Sequence, residues 1–157
     1  MAALTNPFDI AVVSAGLTTS ITTYTSGDQL GTEITCATGG GANCLAVVTS
    51  IEIIDAVKVV GALDARFFNA ATAEATDNAA ASWSDGDMIN CVGIVSLPTP
   101  TSETNNSVTV QSGLWVGPFK TDASGNFYTS LITRTANGVF TGDAIALKVR
   151  LHGFYSS

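Results

Sequence analysis

The chain is predicted to be all-β: a jelly-roll-like β-sandwich with one short helix or helical turn near 74–82 and an extended N-terminal arm. Three observations predict it. Apolar and polar residues alternate in stretch after stretch, the mark of strands with one wet face. Gly, Asn, Asp and Pro clusters punctuate those stretches at roughly the 8–12-residue spacing of sandwiches and barrels. No long segment carries apolar residues at helical spacing, so helices cannot cover a sheet, and two sheets must bury each other.

Taken in order, residues 1–16 alternate least and are read as the arm, leaving 17–157 as a single sandwich domain. "LTTSITTYT" (17–25) alternates, and "SGD" turns it into "QLGTEITC" (29–36). "CLAVVTSIEIID" (44–55) and "KVVGALDARFFN" (58–69) are rich in β-branched and aromatic residues and read as central strands. "AATAEATDNAAASW" (70–83) is Ala-rich, with "TDN" as an N-cap before "AAAS", which places the short helix here. "DMINCVGIVSLP" (87–98), "VTVQSGLWV" (108–116), "NFYTSLITRTA" (126–136) and "AIALKVRLHGFY" (144–155) complete eight or nine strands.

Composition narrows the function. Charged residues are 12% of the 157 and hydrophobic ones 46%, against an ordinary charged share of about 25%. Six basic against thirteen acidic residues give a net charge of −7, a field that repels nucleic-acid phosphates and anionic headgroups. No apolar window approaches the roughly 20 residues of a membrane span. The N-terminus lacks the basic start of a signal peptide, so folding in the cytoplasm that makes the chain is expected. A surface so poor in charge points to burial of part of it in an assembly.

Chemistry-bearing residues are few. Three similar phrases, "YTSGDQL" (24–30), "WSDGDMI" (83–89) and "FTGDAIAL" (140–147), could bring Asp28, Asp87 and Asp143 together. The calcium-loop register is missing around Asp85 and Asp87. The stronger reading makes them turns, with Gly27, Gly86 and Gly142 at positive φ and each Asp accepting backbone N–H groups under Tyr24, Trp83 and Phe140. The only histidine, His152, falls on the strand face of Arg150 and Lys148, where it lacks the partners of a hydrolase. Glu33, Glu52, Glu74 and Glu103 are isolated, and "GGG" at 39–41 has no Lys-Ser/Thr after it, so it is a loop tip. Cys36 and Cys44 flank a glycine loop that would allow one disulfide, but with Cys91 the odd count suits three small buried hydrophobes. Trp83, Trp115, Phe119 and Phe127 are packing residues, a sugar platform or a partner patch. No catalytic, cofactor-binding or metal-binding residue is assigned.

"YTSGDQLGTEITC" and "IEIIDAVKVVGALDARFFNAATAEATDNAAASWSDGDMINCVGIVS" resemble a group of small structural proteins of tailed bacteriophages. The shared positions are Tyr24, Gly27, Asp28 and Gly31, the pair Phe67 and Phe68, Thr76 to Ala80, Asp85 to Asp87, and Val92 to Val95. A proline that commonly follows the aromatic pair in that group is replaced here by "NAATA". The resemblance covers roughly 24–96. It implies a non-enzymatic virion component of the capsid decoration or cement type, a homotrimer on the outer capsid surface that binds the major capsid protein. The alternatives are a tail, neck or baseplate module, and a carbohydrate-binding jelly roll using Trp83 and Trp115.

Overall fold

The computed structural model describes residues 4–13, 22–73, 76–136 and 147–156. Nine strands and one helical turn lie among them: β1 Leu4–Val13, β2 Gln29–Ala37, β3 Leu45–Asp55, β4 Leu63–Phe68, α1 Asp85–Met88, β5 Cys91–Leu97, β6 Thr101–Ser102, β7 Ser107–Lys120, β8 Asn126–Thr133 and β9 Leu147–Ser156. One sheet runs β1-β9-β3-β7-β6 and the other β2-β8-β4-β5, with all pairs antiparallel. Four of those pairs are nested: β1 with β9, β2 with β8, β3 with β7, and β4 with β5. They are the rungs of one long hairpin. Rolling that hairpin up adds the pairs β9 with β3 and β8 with β4 and yields two facing sheets, which is the jelly-roll arrangement the alternation predicts.

Inward residues of both sheets meet in one core. Ile51 and Ile53 of β3, Val149 and Leu151 of β9, Leu63, Ala65 and Phe67 of β4, and Leu131 of β8 are all buried in it. Phe127 is its centre, with ring centroids 5.7 Å from Phe8, 5.5 Å from Phe119 and 6.4 Å from Phe67. Burying a ring of this size contributes about 2–3 kcal/mol, so this quartet ties four strands together.

Residues 4–13 belong to the stretch read as an arm. They are extended, but they run as β1 along the edge of the sheet, and Phe8 is in the core. The reason is Gly153, the register partner of Phe8 on β9. A Cβ there would lie 2.0 Å from the Val47 carbonyl oxygen and 2.3 Å from the Phe8 ring. Only a glycine lets that ring cross β9 and reach Phe127.

The helix is the clearest correction. Residues 76–83 are not helical; the single helical turn is Asp85–Met88, just beyond the predicted span. Ser84 is its N-cap, accepting from the Asp87 backbone N–H at 3.1 Å, while the Asp87 carboxylate accepts from the Ser84 backbone N–H at 3.0 Å. This reciprocal pair fixes the turn. The Ala-rich segment before it makes a turn at 77–79 and then bridges Asp28 through Ala80, because the start of β2 claims its backbone. The Gln29 N–H donates to the Ala79 carbonyl at 2.9 Å, the Asn78 N–H to the Gln29 carbonyl at 2.9 Å, and the Ala81 N–H to the Gly27 carbonyl at 2.9 Å. Asp77 adds a side-chain tie, accepting from the Tyr24 hydroxyl at 2.7 Å and from the Gly31 N–H at 2.6 Å. The strand predicted at 17–25 falls mostly outside the described residues.

Three backbone tests follow from these placements. Gly27 has φ +98°, whereas Gly86 lies inside the helical turn. Gly27→Val is expected to cost about 1–2 kcal/mol, and Gly86→Val less than about 0.5 kcal/mol, by urea denaturation; equal losses would contradict the two geometries. Gly153→Ala, which forces Phe8 off the core, is expected to cost about 1–3 kcal/mol.

Candidate interaction surface

The acidic turns do not converge on one site. The Asp28 carboxylate is buried and accepts from the Thr25 N–H at 2.6 Å and the Thr25 hydroxyl at 2.8 Å. Asp87 caps α1 and accepts from the Ala73 N–H at 3.2 Å, and these hydrogen bonds, led by that of the Ser84 hydroxyl, hold its carboxyl below the usual range. Asp143, Gly142 and Phe140 lie outside the described residues. The first two phrases are therefore different devices, a φ-positive turn and a helix cap, although both put an Asp on backbone N–H groups as expected. Two aspartates that the sequence reading did not single out do the same work. Asp55, fully buried, accepts from the N–H groups of Val57, Val59 and Val60. Asp122 closes the β7–β8 turn on Ser124 and Asn126 and takes the Tyr128 hydroxyl at 2.6 Å. That phenol is the main reason the Asp122 carboxyl is lowered, and the carboxylate in turn raises Tyr128.

The three cysteines are free thiols. Burial pushes Cys36 up to about 12, so its thiolate is not accessible as a nucleophile near neutral pH. Cys44 lies against the hydroxyls of Thr38 and Thr121. His152 stands on the outer face of its sheet with Arg150 and Lys148, as the alternation predicts. Asp9 of β1 accepts from Arg150 at 3.0 and 2.9 Å, and His152 Nδ1 is 3.7 Å away. The Arg150 hydrogen bond, first among its causes, lowers Asp9, and Asp9 raises Arg150. This is a cross-strand ion pair of an exposed sheet face. Glu33 takes the Thr72 hydroxyl and N–H, Glu52 of β3 sits opposite Arg150 of β9 in the same sheet, and the Glu103 carbonyl accepts from Lys58. Glu74 is outside the described residues. The described glutamates thus lie on separate elements, and no group of three or more His, Cys, Asp or Glu among the described residues is placed to hold a metal.

The aromatics divide. Phe119 and Phe127 are core. Trp83 packs on Phe68 with ring centroids 5.6 Å apart, and the Arg66 guanidinium lies 4.4 Å above it, so it covers the outer face of the β2-β8-β4-β5 sheet. Trp115 is different: it is 68% exposed. It sits on β7 next to Val116, and Val116 packs against Gly93 of β5, where an added Cβ would be 2.6 Å away. That contact brings the edges of the two sheets together; Trp115, next to inward Val116, and Ile94 (51% exposed), the register partner of Arg66, project from opposite outer faces beside it, and Ile89 (84% exposed) lies in the turn from α1 into β5. β5 ends its sheet, and β7 beyond residue 108 has no further ladder partner among the described residues. Exposed large apolar groups therefore border the free strand edges at the α1–β5–β7 flank, which makes it the candidate interaction surface.

No protein-family model matches the chain. No curated protein matches it. Among solved structures, a chain of the full particle of Israeli acute paralysis virus heated to 63 degrees is similar at a TM-score of 0.36 and 14% identity, over 98% of this chain and 72% of that one.

The lowered aspartates set a pH dependence. Asp9, Asp87 and Asp122 each have a folded value below the ordinary 3.8. Their contribution to stability is complete above the unfolded value and is lost as pH falls through the folded one. The urea midpoint is expected to be level from about pH 7 to 5 and to drop between about pH 4 and 2. Asp122→Asn should shrink that drop; an identical acid profile in this variant would contradict its role.

Proposed function

We propose that the chain is a non-enzymatic structural subunit of a virion, a capsid decoration protein that trimerises and stabilises the lattice of the major capsid protein on its outer surface. The observation that carries the reading is the α1–β5–β7 flank. Exposed Ile89, Ile94 and Trp115 border two free strand edges on a chain with only 12% charged residues. Burial of that flank in a closed ring removes apolar surface from water and protects the edges at once. Jelly rolls serve as capsid domains, and also as lectin and cupin domains, so the fold supports the reading by analogy alone. The phage-like segment narrows it, since its Gly27-Asp28 turn and its 76–80 stretch are the parts that hold one another in place. A subunit that binds only the assembled shell stabilises it by mass action.

One observation favours a second reading. A tryptophan as exposed as Trp115 on the flank of a sandwich is also suited to stacking on a sugar ring. Binding in a glycan array that is lost in Trp115→Ser would support a carbohydrate-binding module instead.

Light scattering on the purified protein at micromolar concentration is expected to give the mass of three chains, and sedimentation with empty capsids to give co-pelleting. The double variant Ile94→Lys, Trp115→Ser should shift the mass to one chain, with its unfolding free energy changed by less than about 0.5 kcal/mol per surface site. A monomeric wild-type protein that leaves empty capsids unbound would overturn the proposal.

A further inference from the structure

The outer face of the β2-β8-β4-β5 sheet carries an open depression of about 370 Å³. Arg66, Arg134, Asp64, Ser26, Gly27 and Ala81 line it. Two of the three arginines of an acidic chain thus meet at one concavity. Asp64 and Arg66 are two residues apart on the same face of β4, and Arg134 follows the end of β8, whose Thr133 is the partner of Leu63. Arg134 donates to the buried Asp64 carboxylate at 2.6 Å, and Ser96 donates to its other oxygen at 2.8 Å. The Arg134 side chain remains 60% exposed.

Arg66 is held differently. Its guanidinium rests on the Trp83 ring and has no hydrogen-bond or ion-pair partner among the described residues, and its Nε is buried. Two more buried polar atoms without partners adjoin it: the Nε1 of Trp83 itself, and the hydroxyl of Ser130, the register partner of Arg66 and fully buried. Buried donors left unpaired are costly, and a planar guanidinium pre-oriented by an aromatic ring presents its fork at little entropic loss. Two guanidinium groups and one carboxylate leave the depression with one net positive charge. That balance suits a monoanion and disfavours a phosphate dianion, which the acidic chain and Asp64 repel.

We propose that the depression between Arg66 and Arg134 is a binding site for a single carboxylate, received bidentately by Arg66 with Arg134 as the second donor. The carboxylate can come from a small organic acid or from an acidic side chain of a bound protein. Ile94 of the flank is the register partner of Arg66, but no polar atom of the site comes from the flank, so either proposal can fail while the other stands.

Arginine Nε–Hε resonances test it, because Arg66, Arg134 and Arg150 are the only three in the chain and Arg→Lys variants assign them. The full-length protein is titrated at constant ionic strength with sodium acetate, sodium chloride, sodium phosphate or the peptide acetyl-Ala-Glu-Ala-amide. Saturable shifts of Arg66 and Arg134 with acetate, and none of Arg150, are expected, and chloride should give no saturation. Arg66→Lys, which keeps the charge, should weaken the acetate response of Arg134 at least fivefold with the remaining spectrum intact. Trp83→Phe, which keeps a ring beneath Arg66, should weaken it less. A peptide response like that of acetate assigns the site to acidic side chains, and a response to acetate alone assigns it to small acids. Equal responses to acetate and chloride, tighter binding of phosphate, or an unchanged Arg134 response in Arg66→Lys would overturn the proposal.

Discussion

Much of this molecule depends on the attachment of residues 77–81 to the edge of β2. Three backbone hydrogen bonds and the two that Asp77 accepts hold an otherwise helix-prone segment out of a helix. Their net worth is modest, on the order of 1 kcal/mol each, but they act together and close an edge that would otherwise be free to pair with another chain. They bury Tyr24 completely, and the same run of chain carries Trp83 onto Phe68 and Arg66. It then delivers Ser84 to the point where a single helical turn sends the chain into β5. The covered sheet face, the depression beside Arg66 and the exposed Ile89 all follow from one backbone path.

This path gives the two sides of the sandwich different characters. The outer face of the β1-β9-β3-β7-β6 sheet carries the Asp9–Arg150 ion pair and His152, a solvated surface whose cross-strand charges contribute little in water. The outer face of the other sheet is roofed by Trp83. Between them, at the β5–β7 corner, β5 ends its sheet, and β7 beyond residue 108 has no outer strand among the described residues. The apolar groups left there are what a partner would cover. A rigid core centred on Phe127 keeps that corner in place, since Phe119 and Val116 reach inward from the same strand that turns Trp115 outward.

The strands were legible because each buries one face: "CLAVVTSIEIID" became β3 at 45–55, and "NFYTSLITRTA" became β8 at 126–133. Their nested pairing was not, because alternation identifies a strand's inner face and says nothing of its neighbour. Residues 4–13 did not read as a strand of the sheet, since the entry of Phe8 into the core depends on Gly153, some 145 residues away in sequence. Alanine content misplaced the helix, as tertiary hydrogen bonds overrode propensity. The spacing of Ser84 and Asp87, a capping box with Asp in place of Glu, was the signal that located it. Likewise the Arg66 depression was invisible: Arg66 and Arg134 are brought together only by the register of β4 on β8.

The claim that the α1–β5–β7 flank is an assembly surface is tested most directly by hydrogen exchange as a function of protein concentration. The free edges of β5 and β7 leave amides open to solvent in an isolated chain. Protection at 91–97 and 109–116 that grows with concentration and is lost on dilution, while the Phe127 region stays equally protected, is the predicted result. Exchange at those strands that is independent of concentration, or concentration-dependent protection confined to β1, would contradict the account.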